Sequence, residues 1–518
     1  MTTALSTPAA ARKGGFGISF DDAGRYSLRF TPAPARPERR KDPSPLPRYM
    51  ISALVVACAM FMEQLDATVI ATSLPAIALD LNEDPISLKL AMTSYLVSLA
   101  IFIPVSGWVA DRFGAKNVFR AAVLVFTLGS IFCGLSRNLP ELVGARIIQG
   151  LGGALMTPVG RLVLMRSVER RDLVRALSFV TIPALLGPIA GPLLGGFITT
   201  YFHWRCIFWI NVPIGALGMA LATFYIDNVK PDAIWPLDFR GFFLSGAGLA
   251  AMLFGLATAG RGLAPVELSL ALTAIGALTL AAYAAHARRA PFPLLDLKLF
   301  SLRTFRASVL GGALFRVGIG SIPFLLPLML QMSFGMNPFQ SGSITFISSA
   351  GAMAMKGTAP HILRRFGFRW VLIVNALLSG VFLAAYGLFW PSTPILLMMG
   401  LFLVGGFIHS LEFTSLNAIV FAEIGHERMS QAVSLASVGQ QLSLSLGIAA
   451  GAAALQGIAA LHPGADVFAA ENFRWAFLIM GLVSMSSALS FMRLPPDAGA
   501  DIAGRGATQT DEIEAAGE

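Results

Sequence analysis

Two acidic residues lie inside a segment that is otherwise apolar. Glu63 and Asp66 belong to the run FMEQLDATVIATSLPAI at residues 61–77, and the preceding YMISALVVACAM is equally apolar. A charged acid at the centre of a membrane helix costs roughly 2.5–3.5 kcal/mol on insertion scales, and such residues usually face a water-filled cavity or pair with each other. The placement therefore predicts that these acids face the interior of a helical bundle.

Arg146 is the predicted partner of Asp66. At a helix rise of about 1.5 Å per residue, Asp66 lies roughly 24 Å from the cytoplasmic edge of the first span, and Arg146 lies roughly 21–24 Å from that edge in the fourth span. Glu63 and Asp66 are three residues apart and share a helix face. Two acids in a low-dielectric site resist ionising together, whereas an arginine favours the charged form. The pattern predicts a group that loads and releases a proton, although a static ion pair or a helix-packing lock explains it almost equally well.

A second set of ionisable residues lies in later spans. Arg316 is mid-membrane in the ninth span, and His409 and Glu412 are three residues apart in the twelfth. Glu412 could pair with Arg316 or with Lys356 of the tenth span. His409 fits a hydrogen-bonded interior histidine better than a functional one.

Composition and segment length predict the elements that carry these residues. Of the 518 residues, 55% are hydrophobic and 13% are charged, which is about half the charged fraction of soluble domains. Apolar runs of about 20 residues recur along the chain, and the ~10-residue alternating segments of a β-barrel do not. We predict an all-α polytopic membrane protein. Its fourteen spans are expected near residues 50–72, 87–109, 117–136, 142–164, 176–200, 206–226, 239–258, 266–285, 307–331, 341–362, 370–390, 394–420, 431–456 and 473–493.

The distribution of basic residues predicts the orientation. The loops after even-numbered spans contain eighteen Lys and Arg residues, whereas the loops after odd-numbered spans contain five. Basic loops face the cytoplasm, so we expect both termini on the cytoplasmic side of the plasma (inner) membrane. The net charge of +9 is therefore a topology signal and does not indicate a nucleic-acid partner.

A short internal repeat divides the chain. GWVADRFGAKNVFR at residues 107–120 and RRFGFRWVL at residues 364–372 share Arg-Phe-Gly followed by a basic residue, and many transporters consist of two related halves. The predicted parts are a disordered cytoplasmic tail, a six-helix half, a two-helix insert with linkers, a second six-helix half and an acidic disordered cytoplasmic tail, at residues 1–47, 48–228, 229–290, 291–494 and 495–518.

The segment GPIAGPLLGG at residues 187–196 lies in the fifth predicted span. Gly187, Gly191 and Gly195 recur every four residues and leave a groove that permits close helix approach. Pro188 and Pro192 each remove a backbone donor and bend the helix. This pattern predicts tight packing of a kinked helix and by itself says nothing about the direction of transport.

Several classes of function are excluded by missing motifs. No Lys is followed by Ser or Thr, so there is no Walker A sequence, and HExxH, GxGxxG and GxSxG are also absent. Cys58, Cys133 and Cys206 lie in or beside spans, and we predict no disulfide. We expect neither an enzyme nor a protein with a bound cofactor or metal.

Several motifs, in chain order, resemble those of the major facilitator superfamily, specifically its fourteen-span drug:proton antiporter branch. LDATVIATSLP at 65–75 is similar to the branch signature of the first span, and GWVADRFGAK is similar to the loop motif between spans 2 and 3. RIIQGLGGA at 146–154 is similar to the motif of the fourth span, and GPIAGPLLGG to the antiporter motif of the fifth. Further segments that resemble branch signatures are WRCIFWINVPIG, PLDFRG, PLLDLKLF and LPLMLQMSFGMNPFQSG.

The resemblance implies two six-helix halves that rock around a central cavity lined by spans 1, 4, 9 and 12. It makes Asp66 the leading proton carrier, with Glu63 and Arg146 as coupling partners, and it favours export by antiport. The candidate cavity or substrate residues are Gln149, Arg316, Gln331, His409 and Glu412. The loop motif, which would stabilise the outward-facing state, contributes Gly107, Asp111, Arg112, Gly114 and Lys116.

These expectations favour a proton-coupled exporter of hydrophobic or cationic drugs. A dedicated exporter of one metabolite on the same fold and a non-transporting membrane sensor stay open as alternatives. The proton is the expected coupling ion, and the expected partners are the lipid bilayer and a small-molecule substrate. We expect a monomer, and the sequence does not specify a periplasmic adaptor.

Overall fold

The structure is a computed structural model that describes residues 16–20, 26–30, 48–167, 170–226, 236–258, 265–425, 428–461 and 466–500. It divides into two units, Met1–Pro47 and Arg48–Glu518. Of the tail predicted to be disordered at the C-terminus, residues 496–500 form turns, and residues 501–518 lie outside the described part.

The described residues of the first unit form two paired β-strands. Strands β1 (Phe16–Phe20) and β2 (Tyr26–Phe30) are antiparallel and pair Phe16 with Phe30. The prediction of a disordered N-terminal tail does not hold for these residues. Their sequences, FGISF and YSLRF, lack proline and contain four aromatic residues and one β-branched residue, Ile18. This composition favours extended pairing, in contrast to the Pro- and Arg-rich tail around them.

The second unit is built from long helices. In the described part of the chain there are fourteen, labelled α1 to α14 in order: Met50–Leu81, Lys89–Phe113, Ala115–Leu135, Leu139–Leu164, Arg170–Tyr201, Cys206–Tyr225, Phe239–Thr258, Val266–Ala287, Arg303–Ser333, Pro338–Phe366, Phe368–Tyr386, Ile395–Ile419, Gln431–Leu461 and Ala470–Phe491. Twelve of them are long and apolar enough to cross a membrane. The other two, α5 and α10, have 32 and 29 residues and occupy the positions of the fifth and tenth predicted spans.

Helices α1 and α9, which carry predicted site residues, are irregular. In α1 the regular helix ends at Val69, a 3₁₀ turn covers Ala71–Ser73, and the helix resumes at Leu74 with a proline in its first turn. Proline fits that position because its missing N–H would have no partner there. In α9, π-helical turns cover Ala307–Gly311 and Met329–Ser333. These breaks lie on either side of Arg316 and directly after the turn that contains Asp66.

The backbone repeats a turn at the two copies of the Arg-Phe-Gly motif. Gly114 has φ 91° and ψ 134° and separates α2 from α3. Gly367 has φ 77° and ψ 159° and separates α10 from α11. Positive φ at these angles is readily adopted only by glycine. The short sequence repeat therefore corresponds to one structural turn used once in each half of the unit.

One large apolar cluster joins the two halves at one end of the bundle. This cluster contains the C-terminal part of α1, the start of α2, the second part of α9 and the end of α13, with residues such as Leu74, Leu90, Phe324 and Leu455. We call this end, which carries the loop between α1 and α2, the sealed end. At the opposite end the first and second halves have separate clusters, and a fourth cluster joins the insert to the second half and to Ala100 of α2.

Candidate functional site

The structure places a buried ion pair between α1 and α4. Arg146 Nη1 lies 2.6 Å from Asp66 Oδ2, and both side chains are at most 1% exposed. The equal depth predicted for these two residues is thus matched by direct contact. A buried pair of this kind loses its hydration on both sides, so its geometry and its other hydrogen bonds decide whether it is stable.

The second carboxylate oxygen of Asp66 accepts hydrogen bonds from two amides. Gln149 Nε2 donates at 2.8 Å and Asn211 Nδ2 at 2.9 Å. Gln149 is itself oriented by Arg146, whose Nη1 donates to Gln149 Oε1 at 2.7 Å, and by the Cys133 thiol at 3.6 Å. Asp66 therefore receives three donors from α4 and α6, the arrangement expected around an ionised carboxylate.

Asn211 connects this carboxylate to α3. Its Nδ2 also donates to Ser130 Oγ at 2.9 Å, and the Ser130 hydroxyl donates to the carbonyl oxygen of Phe208 at 2.9 Å. Asn211 begins the regular helix of α6 after the short helix Cys206–Trp209. The sequence interpretation did not assign a role to Asn211 or Ser130. The available signal was that Asn211 is a polar residue inside the motif WRCIFWINVPIG.

Arg146 is also held by α2. Its Nε donates to the carbonyl oxygen of Ala91 at 3.2 Å, and its guanidinium lies 4.3 Å from the centroid of the Tyr95 ring, within the range of a cation–π contact. Tyr95 is buried, and its hydroxyl has no hydrogen-bond partner among the described residues. Asp66, Arg146, Gln149, Asn211 and Ser130, with Tyr95 beside them, form what we call the first-half cluster.

The glycine row of α5 fixes the position of α1 at the level of Asp66. A Cβ atom on Gly187 would lie 2.8 Å from Gln64 Cβ, and one on Gly191 would lie 2.7 Å from Thr68 Cβ. A Cβ on Gly195 would overlap the carbonyl oxygen of Val69. The predicted close packing is present, and the glycines are required because any side chain would push α1 away from α5.

The same segment of α5 also contacts α10 of the second half. The carbonyl oxygen of Pro192 lies against Gly342, and Gly196 lies against the backbone of Pro338 and Phe339. The Phe339 N–H donates to Thr200 Oγ1 at 2.9 Å. The carbonyl oxygen of Pro188 accepts from the Ser349 hydroxyl at 3.5 Å. This segment therefore links the helix that carries Asp66 to the facing half.

Glu63 lies outside the ion pair. Its Oε2 accepts a 2.5 Å hydrogen bond from the Thr157 hydroxyl of α4, and the side chain is 7% exposed. The nearby charges that act on it are those of Arg161 and Asp66. Gly153 lies beside both the Tyr95 hydroxyl and Glu63, because a Cβ there would be 3.0 Å from Tyr95 Oη and 3.7 Å from Glu63 Cγ.

The second half contains a buried arginine and a buried acid that do not form an ion pair. Arg316 Nη1 donates to the carbonyl oxygen of Ser308 at 3.1 Å, and its guanidinium lies 5.6 Å from the Phe413 ring centroid. Glu412 Oε2 accepts from Asn375 Nδ2 at 3.3 Å. Among the described residues, Arg316 Nε and Glu412 Oε1 have no hydrogen-bond partner. Arg316, Glu412 and Asn375 form what we call the second-half cluster.

The remaining cavity candidates and Lys356 have different surroundings. His409 Nε2 lies 3.3 Å from the carbonyl oxygen of Ser379, which agrees with a hydrogen-bonded interior histidine. Gln331 Nε2 donates to the carbonyl oxygen of Thr72 at 2.9 Å, so this residue ties α9 to α1 at the sealed end. Lys356 is exposed, and in the described part of the chain it forms no ion pair with Glu412.

The loop-motif residues lie at the end of the bundle opposite the sealed end. Gly114 provides the left-handed turn described above, and the Lys116 ammonium donates to the carbonyl oxygen of Thr223 at 2.8 Å. Gly107 and Arg112 are exposed, and Asp111 is partly buried. The motif thus joins α2 and α3 to the end of α6 within the first half. Among the described residues, no group of three His, Cys, Asp or Glu side chains could hold a metal ion.

Sequence comparisons identify relatives over most of the chain. The family model for the Major Facilitator Superfamily matches residues 56–448 and 308–514. MdtD of Pectobacterium atrosepticum, which is named as a multidrug resistance protein, is 38% identical over 451 residues, covering 86% of this chain and 95% of that protein. MdtD of Citrobacter koseri, named in the same way, is 37% identical over 450 residues, covering 86% and 94%.

Solved structures of membrane transporters share the fold at low sequence identity. A D-xylose-proton symporter superposes with a TM-score of 0.61 and 17% identity, covering 87% of this chain and 99% of that one. The POT family transporter PepTSo superposes with a TM-score of 0.63 and 13% identity, covering 87% and 100%. At these identities the agreement concerns the arrangement of the helices.

Proposed function

Because the chain belongs to the Major Facilitator Superfamily, we propose that it is a proton-coupled antiporter that exports hydrophobic or cationic drugs by alternating access. It is a multi-pass membrane transporter of the inner membrane and not an enzyme. The names of the MdtD relatives support drugs as the substrate class. Proton coupling and antiport rest on the arguments that follow.

The ion pair between Asp66 and Arg146 is the observation that carries the proposal. An acid whose charge is held by one arginine and two amides can change the packing of three helices when it accepts a proton, because protonation removes its attraction for Arg146. The same acid lies where α5 fixes α1 and contacts the second half. Protonation of Asp66 would therefore change the packing of α1 against α5, the helix that contacts α10 of the second half.

We place all fourteen helices across the membrane, with both termini in the cytoplasm. The described side chains of α5, from Leu186 to Tyr201, include no charged residue, and α5 packs between α1 and α10, which favours a spanning position. The basic loops lie at the end opposite the sealed end, and such loops face the cytoplasm. In this orientation the sealed end is external and the conformation faces inward.

The proposed cycle couples the protonation of Asp66 to the change between the inward-facing and outward-facing states. In the inward-facing state Asp66 is ionised and paired with Arg146, and substrate enters from the cytoplasm or the inner leaflet. In the outward-facing state a proton from outside neutralises Asp66, and substrate leaves. The return to the inward-facing state releases the proton to the cytoplasm, so that the proton gradient drives export.

Inverted membrane vesicles that contain the protein test this cycle. With ethidium as a cationic hydrophobic probe, addition to energised vesicles is expected to cause proton release, measured with a pH-sensitive dye. Asp66→Asn is expected to abolish this release, because the amide cannot carry a proton. Asp466→Asn is the matched control, since Asp466 is exposed and caps only Phe468 N–H. Unchanged proton release in Asp66→Asn would remove Asp66 from the mechanism.

A dedicated exporter of one metabolite is the second candidate. The second-half cluster offers one basic and one acidic group with unpartnered atoms, which suits a single zwitterionic compound better than a range of drugs. A broad susceptibility screen of a deletion strain separates the two proposals. Sensitivity to many unrelated hydrophobic compounds would support drug export, and a phenotype confined to one metabolite would support the dedicated exporter. If reconstituted protein moves nothing under an imposed proton gradient, a sensor role would replace both.

A further inference from the structure

Among the described residues, the side-chain amide of Asn211 forms hydrogen bonds through its nitrogen and not through its oxygen. Its Nδ2 donates both to Asp66 Oδ1 and to Ser130 Oγ, each at 2.9 Å. Its Oδ1 is buried and accepts no hydrogen bond from the described residues. Asn211 itself is 1% exposed, so bulk water does not reach it. This orientation presents a donor to Asp66, which suits the ionised carboxylate.

A protonated Asp66 requires a different partner. Once Oδ1 or Oδ2 carries a hydrogen, the acid becomes a donor and needs an acceptor within reach. Gln149 cannot supply one by reversing its amide, because its Oε1 already accepts from Arg146 and from the Cys133 thiol. Asn211 has no such restraint on its own oxygen. Reversal of its amide would place Oδ1 where Nδ2 now lies, next to Asp66 Oδ1.

We propose that Asn211 is a positioning residue that reverses its side-chain amide when Asp66 takes up a proton. The inference rests on the proposed role of Asp66 as the proton carrier. In the reversed state Asn211 Oδ1 accepts from the Asp66 acid and from the Ser130 hydroxyl. Ser130 then no longer donates to the carbonyl oxygen of Phe208. Protonation of Asp66 thus breaks a hydrogen bond at Phe208, where the short helix Cys206–Trp209 meets the regular helix of α6.

The protonation state of Asp66 determines the orientation of the Asn211 amide, because its other neighbours favour neither orientation. The atom of Asn211 that points away from Asp66 has no hydrogen-bond partner among the described residues, so neither orientation gains a bond there. The titratable groups that act on Asp66 and its neighbours are Arg146, Tyr95, Cys133 and Glu63. Of these, Arg146 contacts the other carboxylate oxygen and does not compete for the position of Asn211.

Infrared difference spectroscopy of the purified full-length protein between high and low pH tests the reversal. A carboxylic C=O band that disappears in Asp66→Asn reports protonation of Asp66. With ¹³C-labelled asparagine, we expect an amide C=O band that shifts to lower frequency with the same pH midpoint, because Asn211 Oδ1 gains a hydrogen bond. That band is expected to vanish in Asn211→Leu and also in Asp66→Asn. Asn211→Ala serves the same purpose if the leucine variant does not fold.

A matched pair of variants gives an independent measurement. Gln149→Leu removes a donor that stabilises the ionised form more than the protonated form, and a hydrogen bond to a charged group corresponds to a shift of about one to two pH units. We expect the Asp66 band in Gln149→Leu to move to higher pH by this amount. Asn211→Leu removes one hydrogen bond from each form, so its midpoint should move by less than half of that shift. A control, Asn472→Ala, changes an amide that bonds only to the backbone of residues 466 and 467 and should leave the midpoint unchanged.

The outcomes separate this inference from the proposed function. An Asp66 band without a companion asparagine band, or an equal shift in Asn211→Leu and Gln149→Leu, would overturn the amide reversal and leave Asp66 as the proton carrier. The absence of any carboxylic band that depends on Asp66 would overturn both. A companion band with the unequal shifts supports the reversal.

Discussion

The two halves of the bundle share a backbone plan and differ in how they hold buried charge. In the first-half cluster the acid is on α1 and the arginine on α4, and they are 2.6 Å apart with two amides completing the carboxylate. In the second-half cluster the arginine is on α9 and the acid on α12, and each retains a polar atom without a partner. The same turn at Gly114 and Gly367 shows that these differences arise on equivalent frameworks.

The comparison shows that structural repetition does not extend to electrostatics. Asp66 is paired with an arginine and fully hydrogen-bonded, which stabilises its charge in this conformation. Glu412 and Arg316 are not paired, and each has a polar atom without a hydrogen-bond partner among the described residues. The first-half cluster is therefore complete in the present conformation. The second-half cluster retains unpartnered polar atoms on two buried side chains, Arg316 and Glu412, in the same conformation.

Double-mutant cycles on the two clusters should show the largest difference. Arg146→Gln leaves the buried Asp66 charge without its partner, and breaking a buried pair in this way costs about 3–5 kcal/mol. Adding Asp66→Asn should recover most of that loss. For Arg316→Gln with Glu412→Gln, the coupling free energy should stay below about 1 kcal/mol, because the two residues are not in contact. The measurement is the free energy of unfolding by denaturant in mixed micelles.

One result of the double-mutant cycles would contradict this prediction. Equal coupling free energies for the two pairs would mean that Arg316 and Glu412 interact as strongly as Asp66 and Arg146 in the folded ensemble. The distinction between a complete and an incomplete cluster would then be lost. Unfolding of Asp466→Asn under the same conditions provides the baseline for replacing an exposed acid by its amide.

The helix packing around the two clusters should respond more similarly. Gly191 packs α5 on α1, and Gly447 packs α13 on α9, where a Cβ would lie 2.8 Å from Gly320 Cα. Overpacking of this kind costs about 1–3 kcal/mol, so Gly191→Ala and Gly447→Ala should each lower the free energy of unfolding by that amount. Gly218→Ala in α6 is the control, because no heavy atom lies within 4 Å of its Cβ position. A loss in Gly218→Ala as large as in the other two would contradict the packing argument.

The sequence alone predicts the helices and the ion pair. The helices follow from the length of the apolar runs, and the ion pair follows from the depth of the two residues in the membrane. Apolar runs of membrane-spanning length predicted the helices, and counting residues from the span edges placed Asp66 level with Arg146. Glu63 was expected to share their site. Three residues along a helix correspond to an offset of about 60° around the axis and about 4.5 Å along it, and Glu63 accepts a hydrogen bond from Thr157 on α4.

Residues that depend on tertiary contacts were not predictable in this way. Asn211 and Ser130 are neutral polar residues in apolar spans, and nothing in their sequence neighbourhood names Asp66 as their partner. Gln331 was predicted among the cavity residues, and its Nε2 donates to the carbonyl oxygen of Thr72, which lies in the 3₁₀ turn of α1. The two strands at residues 16–20 and 26–30 differ from the expected disorder because four aromatic residues and Ile18 outweigh the average composition of the tail.

The smallest expected effect concerns Glu412. Its Oε1 has no donor, and its Oε2 accepts only from Asn375 at 3.3 Å. Glu412→Gln keeps the shape, can still accept from Asn375 and no longer requires a buried charge. We expect it to change the free energy of unfolding by less than about 1 kcal/mol, whereas Asp66→Asn, which weakens three hydrogen bonds to a charged group, should cost more than about 1.5 kcal/mol. If Glu412→Gln were the more costly change, Glu412 would have to be ionised and paired in the folded protein, and the contrast between the halves would reverse.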